Sequence, residues 1–403
     1  MVQSITGMEP SSKLYSRRRL VQENVEEDME LLKHLSELKT DASHYPHAKD
    51  IVGNIPVYSG PELLNLIYAG DSSREEIMDE LHQCLFTGPG VLIIKEMMEP
   101  EMCVRAHEFM KTITPGIETS THKRTPRFGE KQAKAKPEDY AGYYSNPILA
   151  MVCEAWLGLG YQITTQSNAI RAGSDQQEIH RDYHMSHWGD RCRQFPLATH
   201  VANQFLTLQC AIAHTPQPLT SGPTRFLPYS NHHPNGYLNI RRQEFKDFVK
   251  PRMSQMPLEV GDAAFFNPST YHQPGVNEQD VHRAMNLFQV NSCMSRCMDT
   301  KDTAGMTKAI WPVLKQWHKE IQGSTGSGTE RFVNGTKTER HPLELEALIN
   351  ATAEGYEYPI NSDKEAPSPR VETDIVRTAL REGWDDEKLY KMLDLSAARR
   401  LNA

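Results

Sequence analysis

No run of about 18 apolar residues occurs in the chain, so no segment reads as a membrane-spanning helix. An excess of positive charge is also missing. The 44 basic residues stand against 52 acidic ones, a net charge of -8, which argues against nucleic acid as an obligatory partner. Cysteine is sparse. The seven (Cys84, Cys103, Cys153, Cys192, Cys210, Cys293 and Cys297) are scattered and odd in number. They imply no disulfide framework and fit a reducing, cytoplasmic setting. Cys293 and Cys297 have no second pair beside them and read as ordinary thiols. The opening stretch lacks the apolar core of a secretory signal, and the formal glycosylation sequons at Asn334 and Asn350 are read as accidental. Hydrophobic residues are only 38% of the 403, with a mean hydropathy of -0.59. That is low for one compact unit and predicts polar arms or long surface loops.

Three stretches follow from the patterning. Residues 1–60 are a polar arm in which Arg19 to Lys39 reads as a helix. Residues 61–322 hold the main domain, opening as helix, strand, helix: Glu62 to Tyr68 and Ser73 to Leu85 are helical, Val91 to Ile94 is a short strand, and Glu99 to Thr112 is helical again. Thr121 to Lys136 carries many Lys and Arg and two prolines without periodicity, and is expected to be a mobile loop. Between about 160 and 292 the texture changes to short strands at Tyr161–Arg171, His200–His214, Thr224–Pro228, Met256–Phe266 and Arg283–Val290, the spacing of an antiparallel barrel or sandwich. Residues 323–403 begin with a Gly/Ser-rich linker and continue as helices near 342–353, 371–381 and 386–395, with Gly383 as a stop and Asp385 as a cap. Such extensions offer surfaces for a homodimer.

The chemistry concentrates in two stretches. In Gln177-Glu-Ile-His180-Arg-Asp182, strand alternation puts His180 and Asp182 on one face. About ninety residues on, Gly261-Asp262 opens an apolar strand that delivers His272, and Arg283 follows on the next strand of a hairpin. Two histidines and a carboxylate on one side of an octahedral ion leave the other side free, as in non-haem iron(II) oxygenases. A nearby guanidinium supplies a fork for a carboxylate. Together they suit 2-oxoglutarate, a keto acid that chelates iron at one end and presents a carboxylate at the other. His184 shares the Asp182 parity, though an ordinary polar residue is the simpler reading. Trp188 reads as a core tryptophan with a pocket floor as the alternative, His187 follows it, and His232 and His233 read as surface histidines. Asp262 is expected to fix its turn.

The chain resembles the phytanoyl-CoA dioxygenase family of Fe(II)/2-oxoglutarate oxygenases, especially fungal members in natural-product tailoring. The matching pieces are Gln177 to Asp182, Gly222-Pro-Thr-Arg-Phe-Leu-Pro-Tyr-Ser230-Asn-His232, and Gly261 to Arg283. The second departs from the family element at Tyr229 and Asn231. The resemblance implies a mainly β core with helical flanks, a double-stranded β-helix of the jelly-roll type. It makes His180, Asp182 and His272 the iron ligands and Arg283 the partner of the cosubstrate's distal carboxylate. Gln177 matches a glutamine that helps hold 2-oxoglutarate. The implied cofactors are Fe(II), 2-oxoglutarate and O2. The implied reaction oxidises a small organic substrate by hydroxylation, desaturation, epoxidation or rearrangement, in secondary metabolism. Halogenation is unexpected because Asp182 is present. Two alternatives stand beside this reading: an acyl-CoA 2-hydroxylase like the family's namesake, and a barrel-fold interaction protein without turnover.

Overall fold

In the computed structural model the described residues are 19–117, 120–174, 177–323, 332–333, 336–337, 340–357 and 371–402. The Gly/Ser linker after Gly323 and the Asn334 sequon lie outside them.

Strands form where branched and aromatic residues run between turn formers. They are β1 (Asp50–Val52), β2 (Ile55–Ser59), β3 (Val91–Lys95), β4 (His122–Pro126), β5 (Gln162–Ile170), β6 (Thr207–Ala213), β7 (Arg225–Leu227), β8 (Ser254–Gln255), β9 (Ala263–Phe266), β10 (Tyr271–Gln273) and β11 (Arg283–Asn291). Eight make one mixed sheet, ordered β1-β2-β3-β9-β6-β11-β5-β4, and three make a second, β10-β7-β8. Only β2 and β3 run parallel within these sheets.

Alternation divides each central strand between two environments. Leu92 and Ile94 of β3, Leu208, Cys210 and Ile212 of β6, Phe265 of β9, and Phe288 and Val290 of β11 face the helices. There they join one core that also takes in Leu348, Ile375 and Leu393 of the tail. The opposite face of β2, β3 and β9 packs on the small sheet through Val57, Ile93, Phe266, Phe226 and Met256. The result is three layers: helices, large sheet, small sheet. On β5, β6 and β11 that second face turns polar, carrying Gln166, Asn168, Gln209, Gln289 and Arg283. The register sets Gln209 beside Gln289, and Arg283 beside Ile170. Amides and a guanidinium give this face a polar character unlike the apolar core on the other side.

Several expectations hold. Gly383 ends helix Glu372–Glu382 at φ 65°, and Asp385 Oδ1 accepts from Lys388 N at 2.8 Å at the start of the next helix. Asp262 fixes its turn, accepting from Glu96 N at 2.8 Å and Glu259 N at 2.6 Å and pairing with Lys95. The arm's helix spans Val25–Glu37, and its Leu32 packs on Leu227, Phe245 and Tyr271 of the same chain.

Others need correction. Helix makes up 51% of the described residues, so a mainly β description is too narrow, and strands from 50–126 join the large sheet outside the 160–292 stretch. Thr121 to Lys136 is ordered as β4 and helix Phe128–Ala135, because β4 pairs with β5 from His122↔Ile170 to Pro126↔Gln166. Within His200–His214, the strand begins only at Thr207. Pro196 starts a short helix, Leu197–Asn203, and the His200 ring stands against Cys192 O.

Candidate active site

His180 and His272 face each other as a bridge between antiparallel segments, exchanging backbone hydrogen bonds of 3.1 Å in both directions. Directly opposed residues put their side chains on one side, and the two ring centroids lie 4.3 Å apart. Asp182 N donates to Pro268 O at 3.0 Å, which brings the carboxylate to the same side. Asp182 Oδ2 stands 3.8 Å from His180 Nε2 and 3.6 Å from His272 Nε2. Among the described residues, His180, Asp182 and His272 are the group whose donor atoms converge, all within 4.8 Å of one another.

The rings are also oriented. His180 Nδ1 lies 2.7 Å from Glu178 O and His272 Nδ1 2.9 Å from Thr270 O. A ring that gives its Nδ1–H to a carbonyl keeps a lone pair on Nε2, the state a metal needs. Burial, and secondarily His272, pushes the His180 pKa down and favours the neutral ring. For Asp182, burial pushes the carboxyl up. The adjacent His272 and His180 and the Gln209 amide outweigh it and hold the group well below the usual carboxylate range. Gln209 Nε2 donates to Asp182 Oδ2 at 2.8 Å, and Tyr237 Oη donates to Asp182 O at 2.7 Å.

Arg283 is 1% exposed, and its Nε and Nη1 have no hydrogen-bond partner. Burial lowers its pKa to about 10, so it stays charged near neutrality. It has no ion-pair partner among the described residues. An uncompensated buried cation costs several kcal/mol, so the geometry fits a site built to receive an anion. Two imidazoles with one carboxylate suit Fe(II), and a buried guanidinium fork suits one carboxylate of a chelating diacid.

Gln177 has an exposed side chain, and its carbonyl accepts from Gln273 Nε2 at 2.8 Å. His184 does not continue a strand. It opens the turn-like stretch His184–Gln194 and contacts Asn291 at 3.4 Å. Trp188 is neither core nor pocket floor: it is 44% exposed, against Phe195 and Arg191. His187 is exposed. His233 is buried rather than superficial, with Nδ1 2.7 Å from Tyr271 Oη, and the His232 ring reaches Gly88 O at 2.9 Å. Tyr229 adopts φ 68°, a left-handed conformation that glycine takes up more readily than tyrosine. Gly222 also has a positive φ, 72°, and a Cβ there would fall 2.4 Å from the Gly275 backbone.

Four residues near the centre escaped the sequence reading: Gln209, Tyr237, His122 and Arg124. The His122 ring is 2.8 Å from Asn168 Oδ1 and 3.3 Å from Arg124 Nε. Burial, then the charges of Arg124 and Arg283, lower its pKa. Arg124 also bears electrostatically on His180, and the register puts His122 and Arg124 on the same polar sheet face as Asn168. Gln209 had a readable signal, an isolated amide within Thr207-Leu-Gln-Cys-Ala-Ile-Ala213. His122 and Arg124 depend on cross-strand register, and Tyr237 on the packing of a turn.

Two buried histidines beyond the triad make acid sensitivity predictable. Burial, with His107 for His214 and Arg181 for His233, pushes each down to about 3. An unfolded chain protonates histidine near 6.5. Below about pH 6.5 it therefore holds more protons than the fold, and stability falls as pH drops, by up to ~1.4 kcal/mol per pH unit for each ring. A urea midpoint falling steadily from pH 6.5 to 4 is expected; a flat one contradicts this.

Fold and centre together define the class: an Fe(II)/2-oxoglutarate-dependent dioxygenase-type enzyme, with O2 as the third reactant. The phytanoyl-CoA dioxygenase (PhyH) family model matches residues 86–285, a span that includes all three converging side chains and Arg283. That segment, just under half of the chain, is similar to the phytanoyl-CoA dioxygenase family. Among solved structures it is similar to the non-heme alpha ketoglutarate dependent epimerase SnoN from nogalamycin biosynthesis, at 14% identity over 54% of this chain and 84% of that one, with a TM-score of 0.40. SnoN in complex with Fe3+, alpha ketoglutarate and nogalamycin RO gives 14% identity over 54% and 85%, with a TM-score of 0.39. Similarity at that level carries no information on this chain's substrate. No curated protein matches. Among the described residues, no helix is long and apolar enough to cross a membrane.

Proposed function

We propose that His180, Asp182 and His272 hold Fe(II) and that Arg283 receives the distal carboxylate of 2-oxoglutarate, in an enzyme oxidising a small metabolite in secondary metabolism. The observations that carry this reading are the convergent triad and, on the sheet face that also carries Gln209, a buried guanidinium without a counter-ion. Gln177, three residues before His180, is the proposed additional contact for the cosubstrate. The two facing sheets, with the triad on segments flanking the small one, fit a double-stranded β-helix. When bound, iron and 2-oxoglutarate couple oxidative decarboxylation to oxidation of a substrate C–H bond, yielding succinate and CO2.

The chain's own groups supply position and charge. Backbone carbonyls orient the two rings, Gln209 holds one carboxylate oxygen, and Arg283 fixes the diacid so that its keto acid end meets the metal. Because Gln209 aims a ligand, Gln209→Leu is expected to weaken metal binding about 10–100-fold, read by Co(II) titration. Unchanged affinity contradicts that role.

Arg124 extends the reading to the substrate. It is exposed on the polar face of β4, opposite Asn168, and has no carboxylate partner among the described residues. A cation beside the metal ligands favours a substrate with an anionic group. Succinate release with Fe(II) and 2-oxoglutarate, measured over matched acids, amides and CoA thioesters, tests this. Stimulation by acids is expected, reduced in Arg124→Gln. Equal stimulation by acids and amides contradicts it. Lys123, Arg124 and Arg127 at the sheet edge favour a second reading, acyl-CoA hydroxylation, and stimulation confined to thioesters would select it. No succinate under any condition would leave only a scaffold without turnover.

A further inference from the structure

A buried carboxylate on the arm helix Val25–Glu37 faces the back of the triad. Asp28 is 8% exposed. An acid in a helix's first turn complements the dipole while staying in water, as neighbouring Glu26 and Glu27 do, so burial of Asp28 needs another reason. Its oxygens accept from Asn235 Nδ2 at 2.9 and 3.0 Å and from Asn239 Nδ2 at 2.8 Å. These asparagines bracket the one-turn helix Gly236–Asn239, whose other side abuts the metal-ligand segment. Tyr237 Oη donates to Asp182 O. Gly236 presses on Arg181, the residue between His180 and Asp182, so closely that a Cβ would fall 2.0 Å from the guanidinium carbon. Arg181 in turn packs on the rings of Tyr237 and Tyr271, at 5.3 and 4.8 Å, and Tyr271 adjoins His272. The turn is thus a wedge, with Asp28 on one side and residues 180–182 on the other. Arg181 is buried with Nε and Nη1 unpartnered, and its charge and that of Asp28 both bear on the Tyr271 phenol.

We infer that Asp28 is a positioning residue for the metal centre: by gripping Asn235 and Asn239 it fixes Tyr237 against the Asp182 backbone and makes the arm a working part of the site. This rests on His180, Asp182 and His272 being the metal ligands. A purely structural role would cost thermal stability and leave the centre unchanged.

The test is Co(II) titration of the full chain, followed by ligand-field absorption, with thermal unfolding alongside. Asp28→Asn keeps the shape but faces the two asparagine amides with an amide of its own. It is expected to weaken Co(II) binding about 10-fold and to alter the spectrum, while Glu27→Gln on the same turn leaves both unchanged. Wild-type affinity and spectrum in Asp28→Asn overturn the inference. If that variant fails to fold, Tyr237→Phe decides, since it removes only the hydroxyl on Asp182 O. A weakened, altered centre supports the inference, and an unchanged one overturns it. His272→Ala separates the two readings: if it binds Co(II) as tightly as the wild type, the ligand assignment falls and the positioning role falls with it.

Discussion

Alanine in place of Asp182 is expected to abolish Fe(II)-dependent succinate formation, a loss greater than the 10–100-fold typical of residues that only orient a ligand. The carboxylate is the one anionic donor of the triad, and its oxygen lies 3.6 and 3.8 Å from the two Nε2 atoms. Without it the imidazoles face each other with no charge to balance a cation. The fold is expected to persist, because the Asp182 hydrogen bonds to Pro268 O and from Tyr237 Oη are made by its backbone. A folded Asp182→Ala protein that still turns over 2-oxoglutarate at a tenth of the wild-type rate would contradict the assignment.

Arg283→Leu carries the second large effect. Removing one partner of a buried charge pair costs ~2–5 kcal/mol, so the KM for 2-oxoglutarate is expected to rise about 100-fold or more. Co(II) affinity should stay near wild type, because Arg283 donates to none of the triad. Leucine also removes an uncompensated buried cation, so the unliganded variant should be at least as stable as the wild type. Arg283→Lys is expected to fall between the two, since an ammonium replaces the planar fork with a point charge. An unchanged KM in Arg283→Leu would show that the diacid is held elsewhere.

The chemistry was more legible than its support. His180 and Asp182 share a parity, His272 follows an apolar strand, and Arg283 stands on the next one; each relation is local. Gln209, His122, Arg124 and Tyr237 act through register or turn packing, across 27 residues between Asp182 and Gln209 and 55 between Asp182 and Tyr237, which composition does not encode. The same limit explains the misread stretches. His122 to Pro126 has no strand periodicity, yet β5 supplies a partner edge and the pairing decides. His233 sits among turn residues but is buried because the turn folds back on Tyr271. The arm reads as polar by composition, and only its packing shows Asp28 turned inward.

Anaerobic addition of Fe(II) and then 2-oxoglutarate tests the central claim most directly, by the visible charge-transfer absorption of a chelated keto acid on ferrous iron. The wild-type chain is expected to develop it at one iron per chain. His180→Ala, Asp182→Ala and His272→Ala should each lose it, while Arg283→Leu should need far more 2-oxoglutarate to reach it. The same absorption undiminished in any of the three ligand variants would contradict the account.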